Sequence, residues 1–126
     1  MSWSSFDSPA DALAADTVAI GTEGPLLSAG TTELFGVDVN VYSVPVADVL
    51  KGADVRAGEV LQVASTPATC TGGGVYPDGD PLGASGTLIL FLYQDPDTLD
   101  WRTLTPFQGV VAASEDGKLP LAWPKP

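Results

Sequence analysis

The sequence contains no histidine, a single cysteine, a single methionine and five basic side chains against sixteen acidic ones. Without imidazole it cannot build a Ser-His-Asp or Cys-His nucleophile, a histidine general acid or base, or an imidazole metal site. One cysteine, Cys70, forms no internal disulfide, so cysteine counting does not decide the redox compartment. The basic residues Lys51, Arg56, Arg102, Lys118 and Lys125 are scattered, and the net charge of −11 repels nucleic-acid phosphate and anionic lipid. Apolar runs fall far short of a membrane span. The expectation is therefore no nucleic-acid partner and no membrane insertion.

What is present fits one domain over residues 1–126, with 44% hydrophobic residues arguing against disorder. The acid is distributed, nine residues in the first 63 positions and seven in the last 63, which suits solubility and suppression of self-association. Asp outnumbers Glu twelve to four, and Thr, Gly, Pro and Val are plentiful, a composition of turns and strands. Met1-Ser2-Trp3-Ser4-Ser5 has neither a basic n-region nor an apolar h-region. On the acidic, lysine-poor composition we expect a secreted or cell-envelope protein in a mature form carrying an added Met.

Ser8 as N-cap, Pro9 at the first helical position and Ala10 to Ala15 with Asp11 predict a helix of two turns at most. From Asp16 the pattern is β, with Val18, Ile20 and Thr22 on one parity before Gly24-Pro25. Between Glu33 and Leu50, Phe35, Val37, Val39 and Val41 alternate with polar residues, then the apolar parity flips to Tyr42, Val44 and Val46. A flip inside a continuous strand is what a β-bulge or a sharp coil produces, letting one long strand serve both sides of a closing sheet, and Pro45 suits a bulge or an edge. Gly58 to Val63 opens another strand. Thr66 to Ser85 reads as a long Gly/Pro/Asp loop, a length associated with function or mobility.

The continuously apolar Thr87 to Tyr93 predicts a central strand covered on both faces. A turn at Asp95-Pro96-Asp97 precedes short strands near Trp101–Thr105, Gln108–Ser114 and Leu119–Trp123, with a hairpin turn at 115–118. The fold class expected is all-β, a small closed or nearly closed β-barrel with a short N-terminal helix, and a β-sandwich is the alternative.

The stretches Asp16 to Thr22, Val46 to Gly52, Gly58 to Val63, Leu88 to Leu92 and Gln108 to Val111 carry a resemblance. Over residues 8–118 the chain resembles secreted or lipid-anchored bacterial β-barrel proteins, similar in outline to the OB-like netrin and tissue-inhibitor modules. In tissue inhibitors an N-terminal cysteine chelates a protease zinc. Here the start is Met1-Ser2-Trp3, so that function and its residues do not carry over.

Several groups have chemistry to offer. Asp78, Asp80, Asp95, Asp97 and Asp100 flank the central strand and could supply oxygen ligands to calcium, although Asp in Pro/Gly turns is also ordinary turn composition. The same carboxylates could serve as a hydrolase pair, a pattern any acidic chain contains. Cys70 precedes Thr71 and three glycines, but no basic group stands near to activate the thiol, and no Lys-Ser/Thr follows to complete a phosphate loop. Tyr76, Trp101 and Arg102 are candidate ligand contacts beside Cys70, because exposed aromatics stack on sugars or anchor protein partners. The expected function is a non-enzymatic binding domain that meets a protein or glycan through the 66–85 loop and barrel rim. A calcium- or carbohydrate-binding module using the Asp78–Asp100 patch is the first alternative, and a carboxylate-dependent hydrolase the second.

Overall fold

The computed structural model describes residues 7–14, 17–34, 36–52, 55–67, 80–98, 100–104, 109–113 and 119–120. The N-terminal helix α1 (Pro9–Ala14) forms where expected. Ser8 caps it, its carbonyl accepting from the N–H of Asp11 at 3.1 Å and of Ala12 at 3.2 Å. At the other end, Lys51 Nζ donates to the Leu13 carbonyl at 2.9 Å, satisfying one of the free carbonyls of the last turn.

Eight strands follow: β1 (Val18–Gly24), β2 (Leu27–Leu34), β3 (Val37–Pro45), β4 (Asp48–Lys51), β5 (Val60–Ala64), β6 (Gly86–Gln94), β7 (Trp101–Thr103) and β8 (Val110–Ala112). They form one sheet in the order β2-β3-β5-β7-β6-β1-β4, with β8 pairing β6 off that path. The sheet is mixed because β5 and β7 run parallel. It does not close: β2 and β4 end the path and no ladder joins them among the described residues, which corrects the expected closed barrel. Nor is it a sandwich, since all eight strands share one hydrogen-bonded sheet.

β6 carries both cores, as its unbroken apolar run predicts. Leu88, Leu90 and Leu92 face the larger core with Ile20, Val44 and Val63, while Ile89 and Phe91 face the other side with Ala19, Val111 and Ala12 of α1. Alternate residues of a strand point to opposite faces, so a strand apolar at every position must be covered twice. The helix provides part of the second cover.

The Glu33–Leu50 expectation is revised in two places. Glu33 and Leu34 belong to β2, and the chain turns at Gly36, whose φ of +82° is a left-handed conformation that favours glycine. The bulge lies in β2, between Ser28 and Gly30, directly across from Tyr42 and Val41. The apolar parity of β3 changes because its two ends serve different surfaces: Tyr42 and Val44 meet the larger core, while Val39 and Val41 are on the opposite face. Pro45 ends β3, and its carbonyl accepts from the buried Thr22 hydroxyl at 2.7 Å.

The chain then turns a corner from one part of the sheet to another. Val46 N–H donates to the Glu59 carbonyl at 2.8 Å, and the next residue, Ala47, donates to the Gly21 carbonyl at 2.9 Å. A single continuous segment thus runs from the β5 ladder into the β1 ladder. The expected third C-terminal strand does not form at 119–120, and 121–126 and the 115–118 turn lie outside the described residues.

Candidate functional site

Register builds the site. Val41 of β3 lies opposite Ala64 of β5, Ala64 beside Arg102 of β7, and Arg102 opposite Tyr93 of β6. Paired residues share a face, so these four side chains form one row across four strands. They floor a groove of about 550 Å³, walled by Thr32 to Leu34 of β2 on one side and by Asp95, Thr98 and Asp100 on the other.

The Arg102 guanidinium carbon stands 4.5 Å from the Tyr93 ring centroid, within cation–π range. Its Nη1 is shut off from solvent. Burial lowers the guanidinium from its ordinary pKa, and the nearby Tyr93 phenol and Asp95 carboxylate act in the opposite sense. A planar, partly desolvated cation held against a ring is a recognition element for flat, polar or anionic groups. Trp101 faces the other way, against the larger core, yet its edge also lines the groove.

The acidic wall is a built turn. Asp95 accepts the N–H groups of Asp97 at 2.8 Å and Thr98 at 3.2 Å through one carboxylate oxygen, and its own N–H donates to the Asp100 carbonyl at 2.9 Å. This is the expected Asp95-Pro96-Asp97 turn. It aligns Asp95 and Asp100 on the groove, while Asp97 projects into solvent.

Asp80 plays a different part from the one expected of it. Its Oδ1 accepts from Ser65 Oγ and, at 3.0 Å, from Leu82 N–H, while Oδ2 accepts from Asn40 Nδ2 at 2.8 Å and Tyr42 Oη at 3.2 Å. Asn40 and Tyr42 alternate with Val41 along β3, so this network is on the face opposite the groove. Among the described residues no three of His, Cys, Asp and Glu gather as a metal-holding group. Asp78, Cys70 and Tyr76 lie outside the described residues.

The expected long loop is anchored at both ends. Thr66 is buried, its N–H donates to Thr103 Oγ1 at 2.9 Å, and its hydroxyl donates to the Thr103 carbonyl. At the far end Pro81–Gly83 is a 3-10 turn that inserts Leu82, fully buried, into the larger core. Residues 68–79 are outside the described residues.

Of the candidate contacts, the structure brings Trp101, Arg102, Asp95 and Asp100 to one groove and takes Asp80 elsewhere. Sequence reading missed Val41, Ala64 and the Tyr93–Arg102 stack, because a lateral row across four strands has no signature within any one of them. Comparison of the chain with protein-family models, with curated proteins and with solved structures finds no match.

Proposed function

We propose that this chain is a non-enzymatic binding domain of the secreted or cell-envelope kind, and that its contact surface is the groove floored by Val41, Ala64, Arg102 and Tyr93. The observation that carries the reading is the stacked Arg102–Tyr93 pair in an open groove of about 550 Å³ with polar walls. Concave sites that combine an aromatic floor with a few placed polar groups are the usual form of a ligand site. The partner class is a protein segment or a glycan. The guanidinium plane, Gln62 and the two carboxylates offer the donors and acceptors that either would use. The architecture we infer behind it is a nearly closed, OB-like coil of the sheet, supported by the continuous passage of β3 into β4 at Val46 and Ala47.

The test uses a protein in which Trp3→Phe and Trp123→Phe leave Trp101 as the sole tryptophan. Soluble envelope glycans and synthetic peptides are titrated while its fluorescence is followed. A ligand should shift the emission, and Arg102→Ala or Tyr93→Ala should weaken its binding by about tenfold or more. If no member of either panel perturbs Trp101, or if both substitutions leave the affinity unchanged, the groove is not the contact surface.

A further inference from the structure

β2 is an end strand of the sheet, and among the described residues its ladder is with β3 alone. Seven of its eight residues are exposed and the eighth is half-buried. Edge strands present unpaired N–H and C=O groups, and proteins guard them with Lys, Pro, bulges or short length. β2 is eight residues long, contains neither Lys nor Pro, and confines its bulge to the segment between Ser28 and Gly30. From Gly30 to Leu34 the register with β3 is unbroken, leaving a regular edge about 17 Å long.

That edge adjoins the groove, since Thr32, Glu33 and Leu34 form its wall. On the groove side two carboxylates, Asp95 and Asp100, stand against the one guanidinium of Arg102. Glu33 stands directly opposite Asp38, and since Asp38 alternates with Val39 and Val41 these two carboxylates share the face of the sheet away from the Val41 row and repel one another. A cationic side chain laid alongside β2 would relieve that repulsion. A second copy of this chain would worsen it, because each copy carries a net charge of −11.

We infer that β2 receives an extended, lysine- or arginine-bearing peptide segment by strand addition, with its cationic side chains on the face of Glu33 and Asp38 and its alternate side chains over the groove. Backbone pairing along 30–34 supplies affinity, and Glu33 with Asp38 supplies the preference for basic sequence. The inference rests on the reading of the groove as a binding surface and names its partner.

The experiment uses two capped synthetic peptides, one alternating lysine with valine and threonine and the other with glutamate for every lysine. Two readouts are taken together: Trp101 fluorescence in the single-tryptophan protein and amide hydrogen exchange of residues 30–34. The lysine peptide should shift the fluorescence and slow exchange of alternate β2 amides by about tenfold or more, since those amides gain hydrogen-bond partners. Glu33→Lys should weaken it about tenfold, and the glutamate peptide should not bind. Of Thr31→Pro and Thr32→Pro, the one that removes an outward-pointing N–H should abolish binding with the melting temperature retained; if both unfold, exchange in the unaltered chain decides.

Binding of the lysine peptide without β2 protection overturns strand addition. So does protection of β2 in the absence of peptide together with self-association, which would make the edge a self-pairing surface. If the peptide fails while a glycan still perturbs Trp101, the inference falls and the groove reading stands; if nothing perturbs Trp101, both fall.

Discussion

Asp80 divides its two carboxylate oxygens between two parts of the chain, and removing it should separate them. Oδ1 holds Ser65, at the end of β5, and Leu82, in the 3-10 turn, while Oδ2 holds Asn40 and Tyr42 on β3. Ser65 and Leu82 are buried, whereas Asn40 and Tyr42 are half-buried and can turn toward water. In Asp80→Ala the loss is therefore concentrated on Oδ1. A hydrogen bond to a charged group contributes about 1.5–3 kcal/mol and a neutral one about 1, so the substitution should cost about 3 kcal/mol. For a domain of this size that corresponds to a fall in melting temperature of roughly 10 °C.

Asp80→Asn should cost much less, about 1 kcal/mol. Its carbonyl oxygen can replace Oδ1, and only the Oδ2 side meets a conflict, where the new amide would face the Asn40 amide. An amide flip of Asn40 and rotation of the Tyr42 hydroxyl resolve it. Urea unfolding followed by far-UV circular dichroism measures both variants, with an unchanged m-value as the check that the same transition is compared. If Asp80→Ala lies within about 0.5 kcal/mol of the parent, or Asp80→Asn costs as much as Asp80→Ala, the carboxylate is not the clamp described.

Other substitutions probe the remaining links. Phe91→Ala, at a fully buried site under α1, should destabilise by about 3–5 kcal/mol in the same unfolding assay. Gly24→Ala would place a Cβ 2.3 Å from the Ala84 carbonyl oxygen, so the β1–β6 end must shift; a loss of about 2 kcal/mol or more is expected, and a melting temperature equal to the parent's would refute that close approach. Arg102→Lys keeps the charge but loses the plane over Tyr93, costing about 0.5–1 kcal/mol of stability by thermal melts. Burial lowers the Arg102 pKa, so the cost of holding it charged is full below its folded value and is relieved only as strong alkali deprotonates it. The stability difference between Arg102→Met and the parent should thus be flat across about pH 6 to 9.

Where the sequence was legible, a physical period or a cap made it so. Ser8-Pro9 marks a helix start by capping chemistry, and Thr87 to Tyr93 marks a twice-covered strand by its unbroken apolar run. β2 was invisible for the converse reason: Ser28, Ala29, Gly30, Thr31 and Thr32 are exposed on both faces, so no alternation is imposed on them. The pattern flip in β3 points to a bulge or a sharp coil in that strand, while the extra residue sits in its neighbour, a distinction that only pairing can make. Trp101 and Arg102 stood out as a cation beside an aromatic near an element end. The rest of the groove depends on residues brought together from positions 32 to 102, and Asp80 was grouped with the turn aspartates by sequence proximity although its partner Asn40 is 40 residues away.

The central pairing of β1 with β6 has a consequence for how the chain is made. Val18 meets Leu92 and Glu23 meets Thr87, so two strands that contribute to both cores are separated by more than half of the sequence. During synthesis β1 can find β4, and β2 can find β3, long before β6 emerges. Until then Ile20 and Ala19 have no strand on their other side. Non-local ladders of this kind close slowly, because the loop entropy must be overcome before the contacts are gained. Neither core can be completed before residues 88–92 have been made, since Leu88, Leu90 and Leu92 belong to one and Ile89 and Phe91 to the other.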